Sequence, residues 1–143
     1  MNLQITTTYS KGQRSNSRRH GVAATEFAVC LPVLMLIILG MIESCSMIFL
    51  KQSLTVTSYE GIRTALEEGA TEADVRLVCE QLFADRRIQS GTISILPANF
   101  EALPAGDYVQ ITVTAPADSN SVIPGSFYRG RTLSATATMM KEF

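Results

Sequence analysis

The sequence predicts an α+β protein: a long N-terminal, transmembrane α-helix continuing into a small head, in which one further helix lies on a three-stranded antiparallel sheet. Three observations carry this reading. Phe27 to Ile42 is a run of sixteen residues without a charge. Thr71-Glu72-Ala73-Asp74 has the form of a capping box ahead of an amphipathic stretch. Three later segments alternate apolar with hydroxylated residues, and period-2 alternation marks strands with one wet face.

Of the 143 residues, 1–21 read as a basic leader peptide, 22–69 as the transmembrane and extended helix, and 70–143 as an extracytoplasmic head. The leader carries Lys11, Arg14, Arg18 and Arg19 with no acid, a charge of +4; the rest carries 8 basic and 13 acidic residues, a charge of −5. Such asymmetry beside an apolar run is an orientation signal rather than a nucleic-acid footprint. It places the leader in the cytoplasm and the head outside. Residues 1–20 show no hydrophobic period and read as disordered, with the Arg/Ser content of a targeting segment.

A span needs about 20 apolar residues, which Val22 to Ile42 supplies if Glu26 is tolerated near one edge. Pro32 should kink the helix or loosen its early hydrogen bonds. Glu43 interrupts the run, and Met47 to Leu50 resumes it. Further on, Leu54, Ser58, Ile62 and Ala65 or Leu66 keep helical spacing. Gly69 suits a left-handed residue just past the helix end, and Gly61 is a weak point within it. A helix from Val22 to Glu68 is about 70 Å long at ~1.5 Å per residue, so about half of it stands clear of a bilayer.

Behind the Thr71 cap, Val75, Val78 or Cys79, and Leu82 share a face, and the helix should end near Arg87 or Ser90, before Gly91. The strands follow from Ile93/Ile95, from Val109/Ile111/Val113/Ala115 and from Leu133/Ala135/Ala137/Met139, punctuated by Pro97, Pro104, Gly106, Pro116 and Pro124-Gly125. A head of about 75 residues is near the lower limit for independent stability. Its apolar sheet face is therefore expected to be covered by the second helix and the end of the long one.

Cys30 and Cys45 lie fifteen positions apart on one helix, about 22 Å, too far to bond. With Cys79 they read as small buried apolar residues. Catalysis is not expected: the only His is His20 in the leader, and no HExxH, CxxC, GxSxG or phosphate-loop pattern is present. No metal and no cofactor are expected.

Glu26 is the residue that most needs a reason. A carboxylate at the centre of a span costs about 2.5–3.5 kcal/mol on insertion scales, and less near an edge. If the chain is cut after Gly21, Val22 gains a free ammonium at i relative to Glu26 at i+4, on the same helix face. In an assembly Glu26 can instead meet a neighbour's ammonium, a largely desolvated pair that sets register more than stability. An acid five positions after a glycine at the head of an apolar helix resembles the type IV prepilin signature. More closely, Arg18-Arg19, Gly21, Glu26-Phe27-Ala28, Leu31-Pro32 and Glu43 resemble, in order, the TadE-like pseudopilins of tight-adherence (Tad) pilus systems. The likeness is strong over residues 18–63 and weak from there to about residue 125; the end RTLSATATMMKEF also looks like that family. His20, between the arginines and Gly21, departs from the pattern.

The resemblance implies cleavage of Gly21–Val22 by a membrane prepilin peptidase, with Arg18 and Arg19 as processing and orientation signal. It implies assembly through Glu26, Phe27 and, as a further candidate, Glu43. The implied partners are the peptidase, other pilin or pseudopilin subunits along the transmembrane helix, the Tad assembly machinery and the bacterial inner membrane, with no nucleic acid. The implied role is that of a minor pilin or pseudopilin of an adhesion pilus, single-pass and without activity of its own. The bland readings stand beside it. Glu26 also complements a helix dipole, Glu43 is expected to snorkel to the outer interface, and Glu67, Glu68 and Glu72 read as a solvated turn. Two rival cuts exist, by signal peptidase I after Ser46 or at a lipobox-like Cys45. In the alternative function, the helix merely anchors an extracytoplasmic binding module that is not processed as a pilin.

Overall fold

The computed structural model describes residues 17–123 and 127–142. The elements run in the order α1 (Ser17–Ala65), α2 (Glu72–Asp85), β1 (Thr92–Leu96), a 3₁₀ turn (Phe100–Ala102), β2 (Tyr108–Pro116), a single helical turn α3 (Ala117–Asn120) and β3 (Thr132–Met140). The α+β layout is the expected one. By contacts the described residues divide into two units, with the boundary between Ile37 and Ile38.

In the first unit, α1 begins at Ser17, five residues before the expected start, so residues 17–20 of the basic segment are helical. The rest of the segment read as disordered lies outside the described residues. Helical geometry continues through Pro32, whose missing N–H leaves the Ala28 carbonyl without its usual donor. Every residue from Gly21 to Ile37 is exposed, Val29 at 76%. Among the described residues, α1 is the helix long and apolar enough to cross a membrane.

The second unit holds the core. Leu54, Ser58, Ile62 and Ala65 of α1 are buried, the face that the spacing predicted. The helix ends at Ala65, tightens through a bond from the Glu67 N–H to the Thr64 carbonyl, and turns at Gly69, whose φ of +77° suits glycine. At the start of α2 the capping box is complete. The Thr71 hydroxyl accepts from the Asp74 N–H while the Asp74 carboxylate accepts from the Thr71 N–H. The buried face of α2 is Val75, Cys79 and Phe83, at i, i+4 and i+8; Leu82, expected there, is only half-buried.

The helix stops at Asp85, somewhat earlier than expected, because a Schellman turn ends it. The Arg87 N–H donates to the Ala84 carbonyl and the Ile88 N–H to the Phe83 carbonyl, with Arg87 at φ +55°. A non-glycine there costs of order 1 kcal/mol. Burial of Ile88 in the same core cluster as Phe83 offsets it.

The sheet has the order β1-β2-β3, antiparallel throughout, with Ile95 opposite Ile111 and Ile111 opposite Ala137. Val109, Ile111, Val113 and Ala115 of central β2 are fully buried under the two helices, joined by Ile95, Ala135 and Phe100. On the wet face Thr112 and Thr136 hydroxyls meet across strands, as do those of Thr92 and Thr114. Helix α1 passes close to α2 at Gly61, where an added Cβ would lie 2.7 Å from Cys79 Sγ. The expected weak point is thus a close approach at which any added side chain would press on the Cys79 sulfur.

Candidate functional site

The residues with a predicted role fall into two groups. The first lies on α1 between Ser17 and Phe27. Gly21, Val22, Glu26 and Phe27 are all helical and all exposed. Arg18 and Arg19 fall in the first turn of the helix, and their side chains lie outside the described residues. Val22 and Glu26 stand one turn apart on one face, as i,i+4 spacing requires. Between them, the Thr25 hydroxyl donates to the Val22 carbonyl at 2.7 Å.

Gly21 is the informative member of this group. A Cβ built there meets nothing within 4 Å, and its φ is not left-handed. Neither packing nor backbone conformation asks for glycine, which in a helix costs roughly 0.5–1 kcal/mol relative to alanine. Gly61 and Gly91 differ: added Cβ atoms would lie 2.7 Å from Cys79 Sγ and 2.6 Å from the Phe83 ring. Among the described residues, nothing in the fold asks for glycine at position 21.

Glu43 belongs to the second unit and does not snorkel. It is 1% exposed. The Ser121 hydroxyl lies 2.5 Å from Oε1, and the Ile123 N–H points at Oε2 from 3.4 Å. A buried carboxylate needs such donors, and here the segment after α3 supplies them. The Ser44 and Tyr128 hydroxyls meet at 3.3 Å, and the Phe127 ring edge lies beside Gly40. Residues on both sides of the β2–β3 connection are thus held against one stretch of α1. Sequence reasoning missed this clasp. Its only local signals are a Phe-Tyr pair in a polar, Gly-containing connection and a charge inside an apolar run.

The cysteines divide. Cys79 is fully buried, as expected, and loss of water around its thiol pushes the pKa up to about 11. Cys30 and Cys45 are exposed rather than buried in this chain. Among the described residues no cluster of three or more His, Cys, Asp or Glu side chains is placed to hold a metal.

Residues 21–63 match the family model of TadE-like protein. The matched segment opens at Gly21, contains Glu26, Phe27 and Glu43, and ends two residues before α1 does. It covers less than a third of the chain and none of the sheet. No curated protein and no solved structure matches.

Proposed function

We propose, from a chain whose residues 21–63 are TadE-like, that this is a minor pilin or pseudopilin needed to assemble a Tad adhesion pilus or the related secretion apparatus. Prepilin peptidase cuts between Gly21 and Val22. The matured subunit sits in the bacterial inner membrane with its head outside. Glu26 neutralises the ammonium of Val22, its own or that of an adjacent subunit, in surroundings dry enough for the pair to fix register. Phe27 packs beside it on neighbouring helices. Arg18 and Arg19 keep the leader on the cytoplasmic side.

The single observation that supports the reading most is a glycine with no structural reason, followed five positions on by an exposed acid, at the mouth of an apolar helix that its own chain leaves bare. The glycine and the bare apolar surface cost free energy in a solitary chain and the acid costs it inside a bilayer, and all three are accounted for by processing and packing among like helices.

Intact-mass measurement of membrane and sheared-fibre fractions tests the reading. A product beginning at Val22 is expected. One beginning at Met47, a lipidated Cys45, or a chain that keeps Met1 in a piliated cell rejects it in favour of an anchored module. Glu26→Ala should leave cleavage intact and abolish piliation; normal pili on that strain would rule out the charge pair.

A further inference from the structure

Charge is unevenly distributed over residues 38–143. The strands and helices give this unit two ends. One holds Gly40–Ser53 of α1, where Ser44 meets Tyr128 and where Phe49 and Ser53 share a groove with Arg86 and Arg87. The other holds Ala65–Thr71, beside Glu101 and Lys141. The first end carries Lys51, Arg86, Arg87, Arg129 and Arg131 against Asp85, Asp118 and the buried Glu43. Asp118 is occupied by the Gly130 N–H at 3.0 Å, and Lys51 reaches the Ser134 carbonyl. The far end is acidic on balance, with Glu60, Glu67, Glu68, Glu72, Glu101 and Asp107 against Arg63, Arg76 and Lys141, the first two paired with Glu60 and Glu72.

The basic end is also where apolar side chains stand out. Val122 is 64% exposed, Phe127 63%, Ile48 58% and Phe49 55%. They lie level with the stretch of α1 where the charge-free run stops, at Glu43. The groove there encloses about 450 Å³, with Phe49, Leu50, Ile88 and Val122 on its apolar side and the two arginines at its rim. The Ser53 hydroxyl lines it, buried and without a hydrogen-bond partner among the described residues. The Schellman turn, with Arg87 left-handed, is what presents this arginine pair.

We infer that this end of the head is a membrane-docking face for anionic phospholipid of the leaflet from which α1 emerges, with Phe49, Val122 and Phe127 in the interfacial layer and Arg86, Arg87, Arg129 and Arg131 on lipid phosphates. The inference rests on the reading of α1 as a span. Arginine forks match phosphate oxygens, and aromatic and basic side chains gather where hydrocarbon meets headgroups. Charge argues against a second copy as the occupant. Subunits inserted in one membrane are parallel, so neighbours at this level present the same basic surface to each other. The bilayer is the anionic surface at that height.

The chain contains no Trp, so Phe127→Trp and Leu34→Trp each give a single reporter in the full-length protein, reconstituted in phosphatidylcholine vesicles with or without phosphatidylglycerol. With phosphatidylglycerol present, Phe127→Trp should be quenched about twofold more by lipid brominated near the headgroup than by lipid brominated near the chain end. Replacing the four arginines by serine should remove about half of that quenching, while Cys79 stays unreactive as a sign of an intact head. Leu34→Trp should be quenched by the deep bromines. If it is and Phe127→Trp stays open to aqueous iodide, the docking face is wrong and the span stands. If Leu34→Trp escapes the bromines, the span fails and the docking face with it. A Phe127→Trp emission that shifts to the blue only as the protein-to-lipid ratio rises, unquenched by lipid, overturns the proposal in favour of contact between copies.

Discussion

Gly21 and Gly61 are helical residues of one element, and their surroundings have nothing in common. Around Gly21 a Cβ would find open space; around Gly61 it would strike the Cys79 sulfur. The apolar side chains follow the same division. From Val22 to Ile37 they are exposed, whereas Leu54 and Ile62 are fully buried. Leu50, Leu54, Ile62 and Ala65 are thus explained by the core they share with α2 and the sheet. Residues 21–37 find no such core among the described residues. Contiguous apolar surface on that scale is unfavourable in water, which fits a helix long and apolar enough to cross a membrane. Where folding supplies no reason for a residue, recognition is the place to look for one.

The sharpest way to break that comparison is to fill both glycines. Gly21→Leu should abolish processing outright, leaving a product of unchanged electrophoretic size, and should leave the stability of the head unaltered. Gly61→Leu should do the reverse: cleavage proceeds, and the head loses about 3 kcal/mol or more through overpacking against Cys79. Gly61→Ala gains up to about 1 kcal/mol of helix propensity against a clash costing about 1–3 kcal/mol, a small net loss. Adding Cys79→Ala should recover most of it, a coupling that a double-mutant cycle reads directly. A Gly21 variant that destabilises the head, or a Gly61 variant that blocks the cut, would erase the distinction between the two regions.

Cys79 offers a probe of the packed region that the bare region lacks. With its pKa raised to about 11 by burial, the thiol stays protonated in the folded head where an unfolded chain would already ionise. Ionisation of the unfolded form therefore draws the equilibrium away from the folded one as pH climbs. Stability should be level at neutral pH and fall between about pH 9 and 11. Cys79→Ala should remove that decline. Thiol labelling should reach Cys79 only on unfolding and Cys45 at once; prompt labelling of Cys79 in the folded chain would mean that the core is not closed.

Much of the packed region was legible because its signals are local. The strands announce themselves by alternation, since each keeps one face wet, and α2 by Thr71 and Asp74 three residues apart. What was hidden depends on distant partners. Glu43 looked like an interfacial acid because its donors, Ser121 and Ile123, lie 78 and 80 positions away. Gly61 looked like a flaw because helical propensity carries no knowledge of Cys79. The end of α2 shifted because Arg87 adopts a conformation that sequence rules reserve for glycine. In the bare region the motif from Gly21 to Phe27 was legible for the opposite reason: nothing in the fold obscures it.

The smallest expected effect belongs to the cap of α2. Asp74 accepts from both the hydroxyl and the N–H of Thr71, and these bonds hold its carboxyl below the ordinary range. A depressed folded-state pKa means that the contribution is complete above the unfolded value and is lost as pH falls through the folded one. Asp74→Asn should therefore flatten the acid limb of the stability profile without changing the plateau by much. Thr71→Ala removes the cap itself and should lower stability at neutral pH by about 0.5–2 kcal/mol. Both act on a helix that buries Val75, Cys79 and Phe83 against α1 and the sheet. Neither should alter cleavage after Gly21. An acid limb unchanged by Asp74→Asn would mean that other carboxylates govern the acid unfolding of the head, and an altered cut would mean that the bare and packed regions are coupled through α1 after all.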